Sequence, residues 1–400
     1  MTGPLTGYRI IDLTAMVSGP LATMTLADQG ADVIKVENPA SGDHTRLQAN
    51  QRNGYAASFL NNNRNKRSIA LNLKTDAGLD VLRDLLRDAD VFMQNFRPGV
   101  IDRMGLGEDA VRAINPSLVY VSISGFGAEG PYAAKPVYDP LVQALSGLAS
   151  VQAGSDDVRP QLVRTILPDK LTGITTAQAI TAALLHRERT GEGQHVRVSM
   201  LGAVLAFLWA SDMGSQTFIG DELPQAEAAS FIDLIYATAD GYISVAVQTD
   251  REWHALTRAL DRPEWLDDPR FLTPALRQQN IDARLQLTQE ALLKHPADVW
   301  LERLEQEGVP CAPVLTRSQV ITHPQVLANA LILESDHPAA GPLRQAAPAA
   351  DFSRTPAGIR HGAPGLGADT DAILDGLGYT AEERRQLRAS GVTANPGDSE

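Results

Sequence analysis

Short apolar runs alternate with longer segments of helical periodicity through the first half of the chain. Apolar runs bounded by turn residues predict buried strands, and apolar residues spaced by three or four positions predict helices. The predicted strands lie at residues 9–13, 31–37, 68–73, 91–94, 118–124 and 195–199, with helices beginning at Ser18, Thr75, Val100 and Lys170. This alternation predicts an α/β fold in which helices cover both faces of a mainly parallel sheet.

The pattern changes after about residue 210. Two strand-like segments flank Ala239-Asp240-Gly241, which is a hairpin signal, and helical segments rich in Leu, Trp and charge follow. We therefore predict a large α/β domain over residues 1–210 and a smaller α+β domain over 211–325. Residues 326–400 are predicted to form a return segment, extended where Pro and Gly are frequent (338–367), that packs on the large domain.

Charge and composition exclude several classes of protein. The chain has 400 residues, a formal net charge of −13 and one cysteine, Cys311. Such a charge argues against a general nucleic-acid or membrane-surface binder, and one cysteine forms no intrachain disulfide. The N-terminus has no secretory leader pattern, and no apolar run is long enough to span a bilayer. We expect a cytoplasmic protein without nucleic-acid or membrane partners.

Dinucleotide and metal sites find little support. The glycine pattern of residues 125–130 matches that of nicotinamide and flavin sites, which require a helix directly after the glycines. Pro131 and Pro136 do not favour a helix there. The eight histidines show no metal-ligand spacing, so we predict neither a metal site nor a permanently bound cofactor.

Cations and amides cluster at turns beside the predicted strand ends. They include residues 61–67, Lys74, and Asn95-Phe96-Arg97-Pro98-Gly99 with Arg103. Ligands of open α/β sheets bind outside the carboxyl ends of the strands, where Arg donors suit phosphate. Residues 61–67 could equally be a solvated loop. For residues 95–103 we favour a site in which Phe96 stacks on a purine and the arginines bind phosphate.

Asp169 begins the longest predicted helix, 170–187, whose apolar face would include Leu171, Ile174, Ala177, Ala182 and Leu185. A carboxylate in the first turn meets unpaired N–H groups and the positive end of the helix dipole. This position suits an ionised nucleophile with a low pKa, and it equally suits an ordinary N-cap.

Many short motifs, in one order, resemble those of the class III CoA-transferases (the CaiB/BaiF family), which include formyl-CoA transferase, crotonobetainyl-CoA:carnitine CoA-transferase and α-methylacyl-CoA racemase. They are residues 18–23, 30–37, 42–43, 46, 65–69, 71–74, 95–99, 124–127, 130–132, 138–139, 143–144, 169 and 189–194. The resemblance runs through about the first 200 residues and returns weakly at 363–367.

The resemblance implies an interlocked homodimer, each chain having a large Rossmann-like domain and a small domain. It implies a CoA-transferase that uses acyl-CoA and a free carboxylic acid, with Asp169 as the nucleophile that forms anhydride and aspartyl-CoA thioester intermediates. The family's CoA-contacting positions fall on Met16, Val17, Leu71, Lys74, Asn95, Phe96 and Arg103, with Arg97 and Lys135 as neighbours.

Two departures from the family bear on the reaction. Tyr138, next to Asp139 in the expected substrate pocket, stands where the racemases have a catalytic histidine, and a tyrosine is too weak an acid for that role. Residues 223–230 contain no glycine, whereas formyl-CoA transferase has a glycine run in that loop. Transfer is therefore favoured over racemisation, and a CoA-binding protein without turnover is the third alternative. Arg46, Arg67 and Arg164 are candidates to hold the second carboxylate of a dicarboxylic acid.

Overall fold

The structure, a computed structural model, describes residues 3–220 and 234–395. Its contacts divide the chain into two compact units, one formed by Met1–Ala228 with Ala330–Glu400 and the other by Ala229–Asn329. The larger unit therefore uses both ends of the chain, and the smaller unit is one internal segment.

Strands and helices alternate through the first part of the larger unit, largely as the apolar pattern predicts. The elements are β1 Arg9–Leu13, α1 Ser18–Asp28, β2 Asp32–Glu37, β3 Gln51–Arg52, β4 Tyr55–Ala56, α2 Ala57–Asn63, β5 Lys66–Leu71, α3 Asp76–Arg87, β6 Val91–Gln94, α4 Val100–Arg103, α5 Glu108–Ile114, β7 Val119–Ser124, α6 Asp139–Leu145, α7 Leu148–Ala153, α8 Leu167–Thr190, β8 His195–Ser199 and α9 Met200–Trp209. The pattern missed α2, α5, α6 and α7, because about two helical turns give too few positions for a periodic signal.

The smaller unit is an α+β arrangement. Its elements are β9 Ile235–Ala237, β10 Tyr242–Val245, α10 Asp250–Ala259, α11 Pro274–Gln279, α12 Ile281–Leu292, α13 Ala297–Glu307, β11 Cys311–Pro313, α14 Arg317–Val320 and α15 Pro324–Ala328. The predicted hairpin is the antiparallel pair β9–β10, and β11 adds to β10. The buried rings of Trp253 and Trp300 belong to the core of this unit.

The end of the chain returns to the larger unit. Its elements are β12 Ile332–His337, β13 Gly341–Ala346, α16 Thr370–Gly376, α17 Ala381–Ala389 and β14 Thr393–Ala394. Within the segment predicted to be extended from residue 338, residues 341–346 form β13, which pairs with β12 as a hairpin. At the end of the described chain, β14 pairs antiparallel with β5 and becomes an edge of the central sheet.

The central sheet has the strand order β14-β5-β2-β1-β6-β7-β8. All neighbours except β14 and β5 are parallel. In chain order the six parallel strands follow the 3-2-1-4-5-6 arrangement of the Rossmann fold. This confirms the predicted α/β class with a Rossmann-like large domain, and it places the topological switch point between β1 and β6.

Helices cover both faces of this sheet. Ile11 and Leu13 of β1 pack with α3, α5 and α16 on one face, while Ile10 packs with α1 and α8 on the other. The predicted apolar face of α8 was wrong in part, because Ile174 is 60% exposed and Leu185 is 52% exposed. Small residues of α8 instead face α1, since Gly173 and Thr176 are buried and allow the two helices to lie close together.

Candidate active site

The loop after β1 lies at the switch point and is held by the residue that follows β6. The backbone N–H of Ala15 donates to the Asn95 side-chain oxygen (3.1 Å), and the Asn95 amide nitrogen donates to the Ala15 carbonyl (2.8 Å). Ligands of Rossmann-like sheets bind at this crevice. Asn95 therefore lies at the crevice where its predicted contact with CoA would be made.

Met16 has a left-handed backbone conformation with φ of 73°. That conformation is uncommon for a residue with a side chain and needs support from its surroundings. The Met16 N–H donates to a carboxylate oxygen of Asp43 (3.2 Å), and Lys35 donates to the Thr14 carbonyl (2.8 Å). Lys35 and Asp43 are themselves a buried ion pair at 2.9 Å, so buried charges fix the shape of this loop.

A cavity of about 930 Å³ opens beside this loop, within the usual range for small-molecule and cofactor sites. The structure brings most of the predicted CoA-binding residues to its wall: Met16, Leu71, Lys74, Asn95, Phe96, Arg97 and Arg103. Val17 does not line it; it is buried beside the start of α1.

The cations of this cavity differ from the other predicted cations in their partners. Lys74, Arg97 and Arg103 are exposed, and within the part of the chain that the structure describes their charged groups have no acidic partner. Three such cations at the edge of one cavity could bind the phosphates of a nucleotide.

The cations of residues 61–67 serve the fold instead. Arg64 binds Asp28 at 2.7 Å, and its guanidinium also donates to the carbonyl of Ala346 in the return segment. Lys66 is fully buried against Asp12 at 3.0 Å. The phosphate-binding interpretation of these residues was therefore wrong, because their charges are already neutralised inside the protein.

The arginine candidates for a second carboxylate also lie away from the cavities. Arg46 binds Glu37 at 2.7 Å, and Arg67 binds Asp32 at 2.6 Å. Arg164 is exposed and is not among the residues that line the two cavities described here. The structure therefore gives none of the three a place in the site.

A second cavity, of about 480 Å³, contains the predicted nucleophile. It shares Met16, His44, Asn95, Phe96 and Arg97 with the larger cavity, so the two meet at this wall. Its other lining residues include Ser18, Lys135, Tyr138, Asp139 and Asp169. A ligand anchored in the larger cavity can therefore reach Asp169 in the smaller one.

Asp169 lies in the first turn of α8, but its carboxylate does not cap that helix. Ile166 is the N-cap residue and makes no side-chain cap hydrogen bond. The N-cap interpretation of Asp169 was therefore wrong. Ser18 is the first residue of α1, as predicted. The Ser18 hydroxyl donates to Oδ1 of Asp169.

The environment of Asp169 raises its pKa. Burial is the main cause; a hydrogen bond from the Ser18 side chain opposes it, and the negative charge of Asp139 adds to it. The prediction of a low pKa at the helix start was therefore wrong. The backbone N–H of Asp169 donates to Asp139 (3.3 Å), which brings the two acidic residues together.

Two other predicted residues lie beside this acidic pair. Tyr138 is 71% exposed, and the ammonium of Lys135 lies 3.4 Å from the centre of the Tyr132 ring. A cation in this position has a favourable interaction with the ring and remains available to a carboxylate. Lys135 lines the smaller cavity but not the larger one.

The motif-based predictions gave no role to Ser18 or His44, although both line the smaller cavity. Ser18 stands at the strand–helix turn after β1, which is a position where Rossmann-like folds bind ligands. That placement was the available signal for Ser18. His44 lies in a short 3₁₀ turn that the periodicity did not reveal.

The site therefore combines a nucleotide-sized cavity, three exposed cations and a half-buried carboxylate. Comparison with known proteins agrees with this combination. The sequence profile of CoA-transferase family III matches residues 5–370. The chain belongs to CoA-transferase family III. It is a CoA-transferase, and this confirms the predicted family and enzyme class.

Relatives of this family III chain match along nearly its whole length. Human succinyl-CoA:glutarate CoA-transferase is 34% identical over 97% of this chain and 90% of the relative. Formyl-CoA:oxalate CoA-transferase of Streptomyces coelicolor is 36% identical over 97% of this chain and 98% of the relative. The crystal structure of a CaiB/BaiF family protein from Brucella suis superposes with a TM-score of 0.83 at 32% identity, covering 94% of this chain and all of that one.

The described residues of this family III chain hold no group of three or more His, Cys, Asp and Glu side chains arranged to bind a metal ion. Among the described helices, none combines the length and the apolar character that a membrane span needs. The loop predicted to replace the family's glycine run, residues 223–230, lies outside the described residues.

Proposed function

We propose that this CoA-transferase moves CoA from an acyl-CoA donor to a free carboxylic acid through covalent intermediates on Asp169. The proposal rests on one observation: a half-buried carboxylate lines a cavity that meets a larger cavity with three exposed cations, which have no acidic partner among the described residues. The larger cavity suits the nucleotide part of CoA, and the smaller one suits the thioester and the acids.

In this proposal the phosphates of CoA bind Lys74, Arg97 and Arg103, and the adenine stacks on Phe96. Met16, Leu71 and Asn95 line the path of the CoA, and Val17 is buried next to Met16 in the chain. Lys135 then lies next to the acyl group or the acceptor acid, beside Tyr138 and Asp139.

The chemistry begins when one oxygen of Asp169 attacks the carbonyl carbon of the donor thioester. The carbon–sulfur bond breaks, CoA leaves as the thiolate, and a mixed anhydride remains on Asp169. The thiolate then attacks Cγ of Asp169, releases the donor acid as its carboxylate and forms an aspartyl-CoA thioester. The acceptor carboxylate attacks the same carbon, forms a second anhydride and is finally converted to its CoA thioester by the returning thiolate.

Racemisation at the α-carbon is the alternative within this fold. It requires a base and an acid that exchange the α-proton, and Tyr138 occupies the position of the family's histidine. A tyrosine hydroxyl is poorly matched to proton exchange near neutral pH. We therefore favour transfer, and α-deuterium exchange without an acceptor would contradict this choice.

We also propose that two copies form the interlocked homodimer that the family resemblance implies. The apolar periodicity of α8 predicts a buried face, and Ile174 and Leu185 of that face are exposed in the single chain. Phe207 and Trp209 of α9 are also about half exposed. Contact with a second copy would bury this surface.

The central experiment uses succinyl-CoA, a donor named for one of the relatives, with glutarate and oxalate as the first acceptors. We expect hydroxylamine to trap a hydroxamate at Asp169 in the wild type, as mapped by mass spectrometry of peptides. Asp169→Asn should form no adduct and lose at least about 10³-fold in kcat, since the nucleophile is absent.

Asp157→Asn is the matched control, because Asp157 is exposed and lies outside both cavities. It should form the adduct and transfer CoA like the wild type. Full transferase activity in Asp169→Ala, with the trapped label elsewhere, would refute the proposed nucleophile.

A further inference from the structure

Ser18 makes a contact that the proposed chemistry has not yet used. Its side chain is buried, with the residue only 5% exposed, and its hydroxyl donates to Oδ1 of Asp169. The backbone N–H of Ser18 also lowers the pKa of the same carboxylate. Ser18 is the first residue of α1, where the helix N–H groups have no partner within the helix.

The position of Ser18 is fixed from two sides. A Cβ atom on Gly173 would lie 2.8 Å from the carbonyl oxygen of Ser18, so only glycine lets α8 approach the start of α1 this closely. A Cβ on the neighbouring Gly19 would lie 2.3 Å from the Thr14 side chain. The two helices therefore hold the donor and its acceptor in one arrangement.

A hydrogen bond to Asp169 does not help the carboxylate as a nucleophile. A donor on Oδ1 stabilises the negative charge and so reduces the reactivity of the free carboxylate. If nucleophilic attack were the whole task of Asp169, an apolar residue at position 18 would serve better. The hydrogen bond is useful when another group attacks Cγ of Asp169, because negative charge then develops on Oδ1.

Attack on Asp169 occurs twice in the proposed cycle. When the CoA thiolate attacks Cγ of the first anhydride, the C–S bond forms and the carbonyl electrons move onto Oδ1. The carbonyl then re-forms as the bond from Cγ to the bridging oxygen breaks, and that oxygen leaves with the donor carboxylate. When the acceptor carboxylate attacks the thioester, the charge moves onto the same oxygen and the thiolate leaves. Neither step requires a proton.

We propose that Ser18 is a catalytic residue whose hydroxyl stabilises the oxyanion on Oδ1 of Asp169 during these two attacks on Cγ. This role rests on the proposed function, in which Asp169 carries the intermediates. Oδ1 remains the carbonyl oxygen throughout, because the other oxygen is the one that bonds to the acyl group. The donor is therefore in place before the charge develops, which is the requirement for this kind of stabilisation.

The test measures attack on Cγ directly. Wild type, Ser18→Ala and Ser18→Thr are incubated with succinyl-CoA without an acceptor, and hydroxylamine is added as the external nucleophile. We expect the rate of hydroxamate formation per adduct to fall about 10²- to 10³-fold in Ser18→Ala, and Ser18→Thr to recover most of it. The KM for succinyl-CoA should stay within about threefold of the wild type, which separates the role from CoA binding.

Thr25→Ala is the matched control, since Thr25 is on the same helix and its hydroxyl donates to the Leu21 carbonyl within that helix. It should react like the wild type. If Ser18→Ala does not fold, Ser18→Cys replaces the hydroxyl with a weak donor of similar size and should slow the same step.

Three results overturn the inference. In Ser18→Ala, a rate of attack within threefold of the wild type excludes the oxyanion role. A shift in the pH profile without a change in the plateau rate assigns Ser18 to tuning the pKa of Asp169 alone. Absence of any adduct at Asp169 in the wild type removes the proposed function itself, and with it the role of Ser18.

Discussion

Two acidic residues meet in the smaller cavity, and the charge of one affects the ionisation of the other. The Asp169 N–H donates to Asp139, and a second oxygen of Asp139 accepts from Gln143 (2.6 Å). Burial raises the pKa of Asp169, the Ser18 hydrogen bond opposes that rise, and the Asp139 charge adds to it. In the proposed mechanism only the ionised Asp169 attacks, so activity should fall as pH decreases through this raised pKa.

Replacing Asp139 with asparagine should move the acid limb of the activity profile to lower pH. The change removes a negative charge that raises the pKa of Asp169, so more of the nucleophile is ionised at a given acidic pH. The profile of kcat/KM against pH, which reports the free enzyme, measures the shift. Asp157→Asn should leave the limb in place, and a limb that moved upward in Asp139→Asn would contradict this account.

At the level of elements, buried ion pairs connect strands β1, β2 and β5 to the loop after β1. Asp12 of β1 binds Lys66 of β5, and Lys35 of β2 binds Asp43 and the carbonyl after β1. Burial alone would raise the pKa of Asp12, but the charges of Lys66 and Lys35 outweigh it and hold this pKa well below its ordinary value. The strand end and the loop that carries Met16 are thus held by the same ions.

Removing one member of the buried pair should cost much more stability than removing a surface partner. Asp12→Asn leaves Lys66 buried without its counter-ion, and we expect the free energy of unfolding to fall by about 3–5 kcal/mol. Asp32→Asn is the control, because the ion pair of Asp32 with Arg67 is about one-third exposed on both sides and should contribute less than about 1 kcal/mol. Urea denaturation measures both, and equal losses would refute the distinction.

Helix α8 packs against α1 on one side and exposes apolar side chains on another. Its small residues pack against α1, and the side chains that give the clearest apolar periodicity lie on the outside of the single chain. Asp169 and Gly173 are four residues apart and thus lie on the same side of the helix. The close packing that Gly173 permits is therefore the same packing that brings Ser18 to the nucleophile.

At the scale of the whole molecule, the net charge of −13 surrounds the site where we propose that the anionic CoA binds. The three exposed cations of the larger cavity supply the local positive charge, while other cations of the strand ends are paired with buried acids. An acidic protein can therefore bind the phosphates of CoA without a basic surface, because the field near the ligand is set by the nearest charges.

The proposed homodimer predicts a particle mass of about twice 43.0 kDa in solution. Light scattering after gel filtration should give this mass, and Ile174→Glu should weaken or prevent dimer formation because it places a charge in an apolar contact. Gln386→Glu, which adds the same charge at an exposed position of α17, is the control. A monomer at micromolar concentration in the wild type would contradict the proposal.

The sequence by itself determined the α/β alternation, the Rossmann-like domain and most residues of the larger cavity. Strand periodicity is a local property, and the turn after each parallel strand reaches the same edge of the sheet. Lys74, Asn95 and Arg103 could therefore be assigned to one site from their positions after strands. The motif order in addition identified the family and is the basis for proposing Asp169 as the nucleophile.

The tertiary structure alone decided which cations are paired with buried acids and what surrounds Asp169. Arg64, Lys66 and Arg97 are equally cationic in the sequence, but only long-range packing pairs the first two with Asp28 and Asp12. In the same way, burial and the charge of Asp139, about 30 residues away, raise the pKa of Asp169, and a hydrogen bond from Ser18, about 150 residues away, opposes that rise. Burial and distant charges depend on how the chain folds in three dimensions, and local sequence does not encode them.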